Sequence, residues 1–291
     1  MIADFEYFAP KTVDEALSLL SRYKGEAKII AGGQSMLIIM RRGLLTPEYL
    51  IDIKGIAALD YIKYDDGKGL RIGALTIHRA IEKSPVIQRH FGVLSEMERN
   101  LATIQTRNWG TIGGNLCHGD PAGDPATVLI ALNAKLKLAS LGGERIIEVE
   151  EFSKDYLEVA LEPDEMLTEI QVPTLPPHTG TACEKLMVMK GDMGIVGAAV
   201  SITLSPGNGV CKDARIALSN CASVPLRARE AEKKLIGKEL DDSLLIEAGD
   251  VASTEASPPV DVHGSAEYRQ EMVKVFVRRA ATKALERAKA A

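Results

Sequence analysis

The pattern of apolar and polar positions divides the chain into short amphipathic segments separated by glycine- or proline-rich turns. A capping box of Thr12 and Glu15 predicts the first helix. Residues 27–31 then predict a strand that leads directly into two glycines, and a helix over 36–42 and a strand over 49–53 follow. This order of strand, glycine turn, helix and strand indicates a small α/β unit.

The middle of the chain continues with both kinds of element. A strand is predicted over 71–75, Thr76 is expected to cap a short helix, and one long helix is predicted over 86–100. Asp124 is expected to cap a further helix that has Pro125 at its first position. The remaining strands of this part are predicted at residues 134–139, 145–149 and 167–172.

Beyond prolines 173, 176 and 177, the pattern predicts a sheet covered by helices. Apolar residues alternate with small or polar ones over 196–204, as expected of a half-buried antiparallel strand. Neighbouring strands are predicted over 183–189 and 215–219, and helices over 228–236, 243–252 and 268–290.

These segments predict an α+β protein of two domains with a boundary near Pro173. The first domain is expected over residues 1–173, with subdomains over about 1–55 and 56–173. The second is expected over residues 178–291, as an antiparallel sheet packed by helices.

Composition narrows the class of protein. The chain has 291 residues, of which 46% are hydrophobic and 26% charged, a balance typical of soluble globular proteins. Its net charge is −5 and no Lys/Arg block is present, so a nucleic-acid partner is not expected. The basic residues near the C-terminus come at helical intervals and predict a solvated helix face: Arg278, Arg279, Lys283, Arg287 and Lys289.

The sequence predicts neither a targeting segment nor a membrane span. The N-terminus lacks a cationic region followed by an apolar one, and the longest mostly apolar stretch, residues 194–204, is far shorter than the ~20 residues that a bilayer span needs. We therefore expect a cytoplasmic protein. Its four cysteines form no C-x-x-C pair, which indicates free thiols and neither a zinc site nor an iron–sulfur cluster.

The first segment with candidate chemistry is Ala31-Gly32-Gly33-Gln34-Ser35. Paired glycines after a strand allow positive φ, and successive inward N–H groups form a nest for an anion, to which the Ser35 hydroxyl adds a donor. Such a loop suits a phosphate, although an ordinary glycine turn between strand and helix is the alternative.

The second segment is Thr111-Ile112-Gly113-Gly114-Asn115. It offers a hydroxyl, two permissive backbone positions and a side-chain amide, although a structural turn is again possible. Two donor-rich glycine loops about eighty residues apart fit the two sides of one pyrophosphate, and the pair is more specific than either loop alone.

Other polar positions are less informative. Asp124 could accept hydrogen bonds from ribose or ribityl hydroxyls as well as cap its helix. His118 could be a ligand or an acid/base, but it has no partner at metal spacing and a structural role is favoured. The segment 67–73 resembles a dinucleotide fingerprint but has the wrong last spacing and precedes a strand. No phosphate-binding Walker loop, H-E-x-x-H or G-x-S-x-G motif occurs, and no catalytic or metal-ligating residue is predicted.

With these segments in hand, the sequence resembles the FAD-binding (medium) subunits of molybdenum hydroxylases, a group that includes carbon monoxide dehydrogenase, xanthine dehydrogenase and aromatic-substrate relatives. The matching segments span nearly the whole chain in the family's order: Phe5–Pro10, Val13–Leu20, AGGQS at 31–35, Leu50–Ile53, TIGGN at 111–115, HGDPAGD at 118–124, SAEYR at 265–269 and VFVRRA at 275–280.

The resemblance implies a vanillyl-alcohol-oxidase-like (PCMH-like) FAD-binding fold of two α/β subdomains, followed by a C-terminal domain like that of carbon monoxide dehydrogenase flavoproteins. It implies that both glycine loops hold the FAD pyrophosphate and that Asp124, Leu167 and Lys185 also line the cofactor. Lys185 is expected to place a positive charge near the flavin ring and to favour its anionic reduced form. Gln34 stands where the family often has His, and Met193 where carbon monoxide dehydrogenase-like members often have an aromatic residue.

The resemblance also implies partners. A large subunit would carry molybdopterin, a small subunit would carry two [2Fe-2S] clusters, and the FAD here would pass their electrons to an external acceptor in a dimer of heterotrimers. Two other functions are possible: a stand-alone FAD oxidase or dehydrogenase, and a scaffold subunit that keeps the fold without FAD.

Overall fold

The computed structural model describes residues 2–207 and 209–291, so residue 1 of the first predicted domain lies outside the described residues. The first unit contains a three-stranded parallel sheet in the order β1-β3-β2. Its elements are β1 (Glu6–Phe8), α1 (Val13–Arg22), β2 (Ala27–Ile30), α2 (Met36–Arg41) and β3 (Tyr49–Asp52). The predicted strand, glycine turn, helix and strand therefore form a parallel crossover, which places the first glycine loop at the carboxyl end of β2.

The second unit contains an antiparallel sheet in the order β4-β5-β10-β6-β7 with helices against it. Its strands are β4 (Ile62–Asp65), β5 (Gly69–Gly73), β6 (Lys135–Ser140), β7 (Gly143–Glu148), the short pair β8 (Ser153–Asp155) and β9 (Glu158–Val159), and β10 (Met166–Val172). Its helices are α3 (His78–Lys83), α4 (Pro85–His90), α5 (Gly92–Asn100), α6 (Ile104–Trp109), α7 (Ile112–His118) and α8 (Asp124–Ala131). Two 3₁₀ turns lie at Ala57–Leu59 and Val149–Glu151.

The third unit is an antiparallel sheet in the order β11-β12-β13-β14 packed by helices. Its elements are β11 (Thr179–Leu186), β12 (Val196–Leu204), β13 (Cys211–Ser219), β14 (Leu226–Arg227), α9 (Arg229–Leu235), α10 (Asp242–Glu255) and α11 (Ala266–Ala290). The basic residues predicted to form a solvated face of α11 are all exposed. Every helix within the described residues is too short or too polar to cross a bilayer.

Three predictions about the helices of the second unit are wrong. Thr76 does not cap α3, because Ile77 occupies the N-cap and the Thr76 hydroxyl bonds to the Tyr61 backbone. The long helix is interrupted at the buried Phe91, whose backbone (φ −140°, ψ 50°) leaves the helical region between α4 and α5. Asp124 is the first residue of α8 and makes no capping bond. Each difference follows from a tertiary contact that replaces a local one.

The strand β12 is buried on both faces, whereas the sequence predicted a half-buried strand. Ala198 and Val200 pack with the C-terminal helices, and Ala199 belongs to the core of the second unit, beneath α8. The alternating small residues of β12 had indicated a face exposed to solvent. Instead, their small side chains leave room for a second layer of structure to pack on that face.

Gly180 of β11 lies directly against α11. A Cβ atom at this position would lie 2.0 Å from the carbonyl oxygen of Ala284 and 2.3 Å from the backbone nitrogen of Ala288. We therefore expect Gly180→Ala to lower the free energy of unfolding by about 1–3 kcal/mol, as overpacked substitutions do. Urea unfolding checks this, with Gly142→Ala as control because its Cβ would meet nothing closer than 3.6 Å. Equal stability of the two variants would contradict the prediction.

Candidate functional site

The first glycine loop presents a row of unused backbone donors. Gly33 has φ +70° and Ser35 is in the right-handed helical region, so the chain turns sharply from β2 into α2. Among the described residues, no acceptor contacts the backbone N–H groups of Gly32 to Met36, and the Ser35 hydroxyl also makes no hydrogen bond. The loop is half-buried. Successive unpaired N–H groups of this kind form an anion site.

The second segment lies directly against this loop. A Cβ at Gly32 would be 2.1 Å from the carbonyl oxygen of Trp109 and 2.8 Å from the Cα of Gly110. A Cβ at Gly110 would lie 3.6 Å from the Gln34 side chain, and one at Gly114 would lie 3.9 Å from that of Ala31. The two segments that sequence reasoning paired are therefore neighbours, and Gly32 is required by their close approach.

The structure corrects the donors expected from the second segment. Residues 112–118 form α7, and the N–H groups of its first turn are engaged within the chain. Ile112 donates to the Thr76 carbonyl, Gly113 to that of Ala74, and Gly114 to the Thr111 hydroxyl oxygen at 3.1 Å. The two carbonyl acceptors lie about forty residues earlier in the chain, and the third acceptor is the hydroxyl of the N-cap residue Thr111. The local sequence pattern did not reveal these bonds. The second segment thus cannot offer a matching row of amides.

What the second segment does offer is side chains. The Thr111 hydroxyl accepts from Gly114 and keeps its own O–H free, and the half-buried Asn115 amide makes no hydrogen bond among the described residues. The two glycines differ in role. A Cβ at Gly113 would lie 2.6 Å from the Ala74 carbonyl oxygen, which makes this glycine a packing residue, whereas Gly114 is exposed beside the first loop.

Asp124 and Lys185 form an ion pair between the second and third units. The Lys185 ammonium lies 2.7 Å from Asp124 Oδ2 and also donates to the carbonyl oxygens of Asp192 (3.0 Å) and Asn100 (3.3 Å). Its three N–H donors are thereby used. Burial raises the pKa of the Asp124 carboxyl, and the nearby ammonium offsets that rise only in part. This ion pair therefore links the second and third units and is itself largely buried.

Leu167 is buried in β10 beside a bulge. The ladder between β10 and β6 shifts register between Leu167 and Glu169, and the Thr168 carbonyl accepts from the Ala74 N–H instead. Because Ala74 also receives the Gly113 N–H, this bulge is joined to the start of α7. The position of Leu167 is thus tied to the second segment through backbone bonds.

The loop between β11 and β12 carries Met193, which is 59% exposed. Lys185 donates to the Asp192 carbonyl of this loop, and the fully buried Arg269 donates from Nη1 to the carbonyl of Ile195, the last residue of the loop. Arg269 belongs to the SAEYR segment, so a residue at the start of α11 fixes one end of the loop. The described structure places no aromatic side chain from this loop over the site.

The sequence did not predict a buried histidine–glutamate pair that lies beside Gly110, next to the two loops. His78 Nδ1 lies 3.0 Å and 2.9 Å from the two carboxylate oxygens of Glu98, and both side chains are almost fully buried. The two residues lie on α3 and α5, twenty positions apart, so no local spacing indicated the contact. The helix α6, which supplies Arg107 to a second buried pair with Glu82, was not predicted either.

The donor set fits the pyrophosphate of a dinucleotide. The five unpaired amides of the first loop and the hydroxyl and carboxamide of the neighbouring segment are groups that bind phosphate oxygens, and the glycines allow close approach of the backbone. Residues 2–207 and 209–291 hold no group of three or more His, Cys, Asp or Glu side chains that could bind a metal ion.

Comparison with known proteins gives a consistent result. The family described as the FAD binding domain in molybdopterin dehydrogenase matches residues 3–175, and the carbon monoxide dehydrogenase flavoprotein C-terminal domain matches residues 182–284. The carbon monoxide dehydrogenase medium chain of Afipia carboxidovorans is 38% identical over 98% of both chains. The subunit alpha of the 6-hydroxypseudooxynicotine dehydrogenase complex of Paenarthrobacter nicotinovorans is 37% identical over 98% of this chain and 96% of its own.

A solved structure agrees over the same extent. Carbon monoxide dehydrogenase from Hydrogenophaga pseudoflava contains a chain that superimposes with a TM-score of 0.95 at 37% identity, covering 99% of both chains. The predicted fold, an FAD-binding part followed by a flavoprotein C-terminal part, is thereby confirmed. The chain belongs to the FAD-binding medium subunits of the molybdenum hydroxylase family.

Proposed function

We propose that this chain holds FAD and transfers electrons within a molybdenum-containing hydroxylase or dehydrogenase. The observation that carries the proposal is the run of unpaired N–H groups from Gly32 to Met36, next to a second segment that keeps the free donors of Thr111 and Asn115. A cofactor pyrophosphate is a ligand whose two phosphates could use the donors of both segments.

The chain's own residues would seat and orient the cofactor, which supplies the redox chemistry. The proposed contacts are the loop Ala31, Gly32, Gly33, Gln34 and Ser35, the segment Thr111, Ile112, Gly113, Gly114 and Asn115, and Asp124, Leu167 and Lys185. For the second segment we assign the direct contacts to the side chains of Thr111 and Asn115, because the backbone N–H groups of Ile112, Gly113 and Gly114 are occupied within the chain. Ile112 and Gly114 would shape the segment beside the first loop without a free donor of their own. Gly113 would act indirectly, through its packing on Ala74.

The contribution of Lys185 to the flavin stays a prediction. Its N–H donors are used by Asp124, Asp192 and Asn100, so what remains for the cofactor is the field of its charge, partly offset by the Asp124 carboxylate. An unchanged flavin midpoint potential in Lys185→Met would contradict that contribution.

The proposed assembly follows from the family. Medium chains of this kind belong to complexes that contain further subunits, and we propose a large molybdopterin subunit and a small subunit with [2Fe-2S] clusters as partners. A dimer of heterotrimers and a cytoplasmic location stay predictions.

Purification of the native complex tests this function. We expect one FAD for each copy of this chain, together with molybdenum and iron carried by co-purifying chains. Substrate turnover by this chain alone would favour the stand-alone flavoenzyme, and a preparation that stays colourless after FAD addition would favour the scaffold. Absorbance of the released flavin and metal analysis distinguish the three outcomes.

A further inference from the structure

Asn220 joins two segments that come from different parts of the chain. It is the first residue after β13, and its backbone N–H donates to the Pro121 carbonyl oxygen at 2.8 Å. Its side-chain amide nitrogen donates to the Gly194 carbonyl oxygen, also at 2.8 Å. Because a carbonyl can only accept, the NH₂ end of the amide must face Gly194. Asn220 has φ +56°, a left-handed conformation that asparagine tolerates better than most side chains do.

The two segments that Asn220 joins meet again at the Asp124–Lys185 ion pair. Asp124 follows the first segment along the chain, and the Lys185 ammonium donates to the backbone of the second at the carbonyl of Asp192. The contacts therefore form a closed ring through Asn220, Pro121, Asp124, Lys185, Asp192 and Gly194. In such a ring, the two bonds of Asn220 limit how far the partners of the ion pair can move apart.

This ring of contacts also reaches the second glycine segment. The turn that precedes α8 contains Gly123, where an added Cβ would lie 3.4 Å from Oδ1 of Asn115. Asn115 is one of the side chains proposed to bind the pyrophosphate, and both members of the ion pair are proposed to line the cofactor. Asn220 can therefore act on three proposed cofactor contacts through the segments that it holds.

Asn133 shows the simpler role that an asparagine can have in the same conformation. It has φ +55° just after α8, and its side chain makes no hydrogen bond within residues 2–207 and 209–291. The tolerance of asparagine for this backbone is enough to explain Asn133. At Asn220, by contrast, the amide reaches a second segment, and that bond indicates a role beyond its own turn.

We propose that Asn220 is a positioning residue of the cofactor site. By holding the turn before α8 to the loop between β11 and β12, it keeps Asn115, Asp124 and Lys185 in the arrangement that binds FAD. This inference rests on the proposed function. Since Asn220 belongs to the C-terminal sheet, it also gives the third unit a part in cofactor binding.

Titration of the deflavinated complex with FAD tests the proposal, with Asn220→Gly, Asn220→Asp and the control Asn133→Gly. Glycine keeps the left-handed backbone and removes only the amide, whereas aspartate keeps the shape but has no hydrogen to donate to Gly194. The released turn and loop must then be brought back together when FAD binds. We expect binding about 10-fold weaker in both Asn220 variants, the effect of losing one buried hydrogen bond. Asn133→Gly should bind FAD as wild type does.

A double-mutant cycle separates positioning from a purely structural role. In Lys185→Met the ring of contacts is already open, so adding Asn220→Gly should weaken FAD binding by clearly less than it does in the wild-type background. A structural role unrelated to the ring would give the same factor in both backgrounds.

Wild-type affinity in Asn220→Gly would overturn the proposal, and so would equal factors in the two backgrounds. If Lys185→Met does not assemble, the comparison of Asn220→Gly with Asn133→Gly decides. If Asn220→Gly does not assemble, Asn220→Asp takes its place, and failure of both to assemble would overturn the proposal, because Asn220 would then be a folding residue. A wild-type complex without FAD would instead refute the proposed function.

Discussion

Gly32→Ala should remove most of the FAD from the assembled complex. The added methyl group would lie 2.1 Å from the Trp109 carbonyl oxygen and 2.8 Å from Gly110 Cα, both backbone atoms that no side-chain rotation can move aside. The first loop would have to shift away from the second, at a cost of about 3 kcal/mol for overpacking of this kind. We expect the displaced loop to relieve this clash in the FAD-free chain and to have to return to its native position when FAD binds, so that the cost is paid on binding. Since 1.4 kcal/mol corresponds to tenfold in affinity, binding should be about 100-fold weaker. Titration of the deflavinated complex with FAD measures the change.

Gly92→Ala is the matched control for this substitution. A Cβ at Gly92 meets nothing within 4 Å, so no atom of either loop is near it, and the residue begins α5. Its complex should bind FAD as wild type does. Full affinity in Gly32→Ala would show that the contact between the loops is not part of the cofactor seat.

Lys185→Met should destabilise the chain strongly, because it leaves the Asp124 carboxylate buried without its cation. The two side chains are 10% and 15% exposed, and the substitution also leaves the carbonyls of Asn100 and Asp192 without their donor. Removing one partner of a buried pair costs about 3–5 kcal/mol. The free energy of unfolding in urea measures this cost. The double variant Lys185→Met/Asp124→Asn should recover part of the loss, since no charge is then stranded.

The same variant should show a defined pH dependence. Burial already raises the pKa of Asp124 above its usual 3.8, and loss of the ammonium raises it further. An acid whose folded-state pKa is raised binds its proton more readily in the folded chain, so its effect favours folding at pH values below the unfolded pKa and is lost as pH rises through the folded one. The deficit of Lys185→Met relative to wild type should therefore grow from acidic to neutral pH. A deficit independent of pH would contradict a stranded carboxylate.

Local patterns in the sequence specified the first loop well. The strand before Gly32, the helix after Ser35 and the returning strand are consecutive, and the short connection brings the carboxyl ends of β2 and β3 together. The unpaired amides of the loop follow from that geometry and from the positive φ at Gly33. The elements that shape this loop lie within about twenty-five residues of one another, whereas the contact of Gly32 with Trp109 does not.

The second segment shows where such reasoning fails. Whether the N–H groups of Ile112 and Gly113 are free depends on the carbonyls of Thr76 and Ala74, which reach them through the tertiary fold. The pairs His78–Glu98 and Asp124–Lys185 likewise join separate elements, and the sequence predicted neither contact, although it singled out Asp124 and Lys185 as residues that line the cofactor. Phe91 breaks a helix because its ring is drawn into the core. Long-range packing, not local propensity, decides each case.

The double burial of β12 has a consequence for the integrity of the whole molecule. Residues 125–131 of α8 are buried throughout, and the small side chains Ala199 and Ala217 of neighbouring strands help to cover them. A fragment that ends at the prolines of residues 173–177 would lack the C-terminal sheet and would expose the apolar residues of α8 to water. Such a fragment is expected to aggregate. Thermal unfolding or proteolysis of the C-terminal sheet would therefore also unfold the part of the chain that is proposed to bind FAD, so the two parts should unfold together.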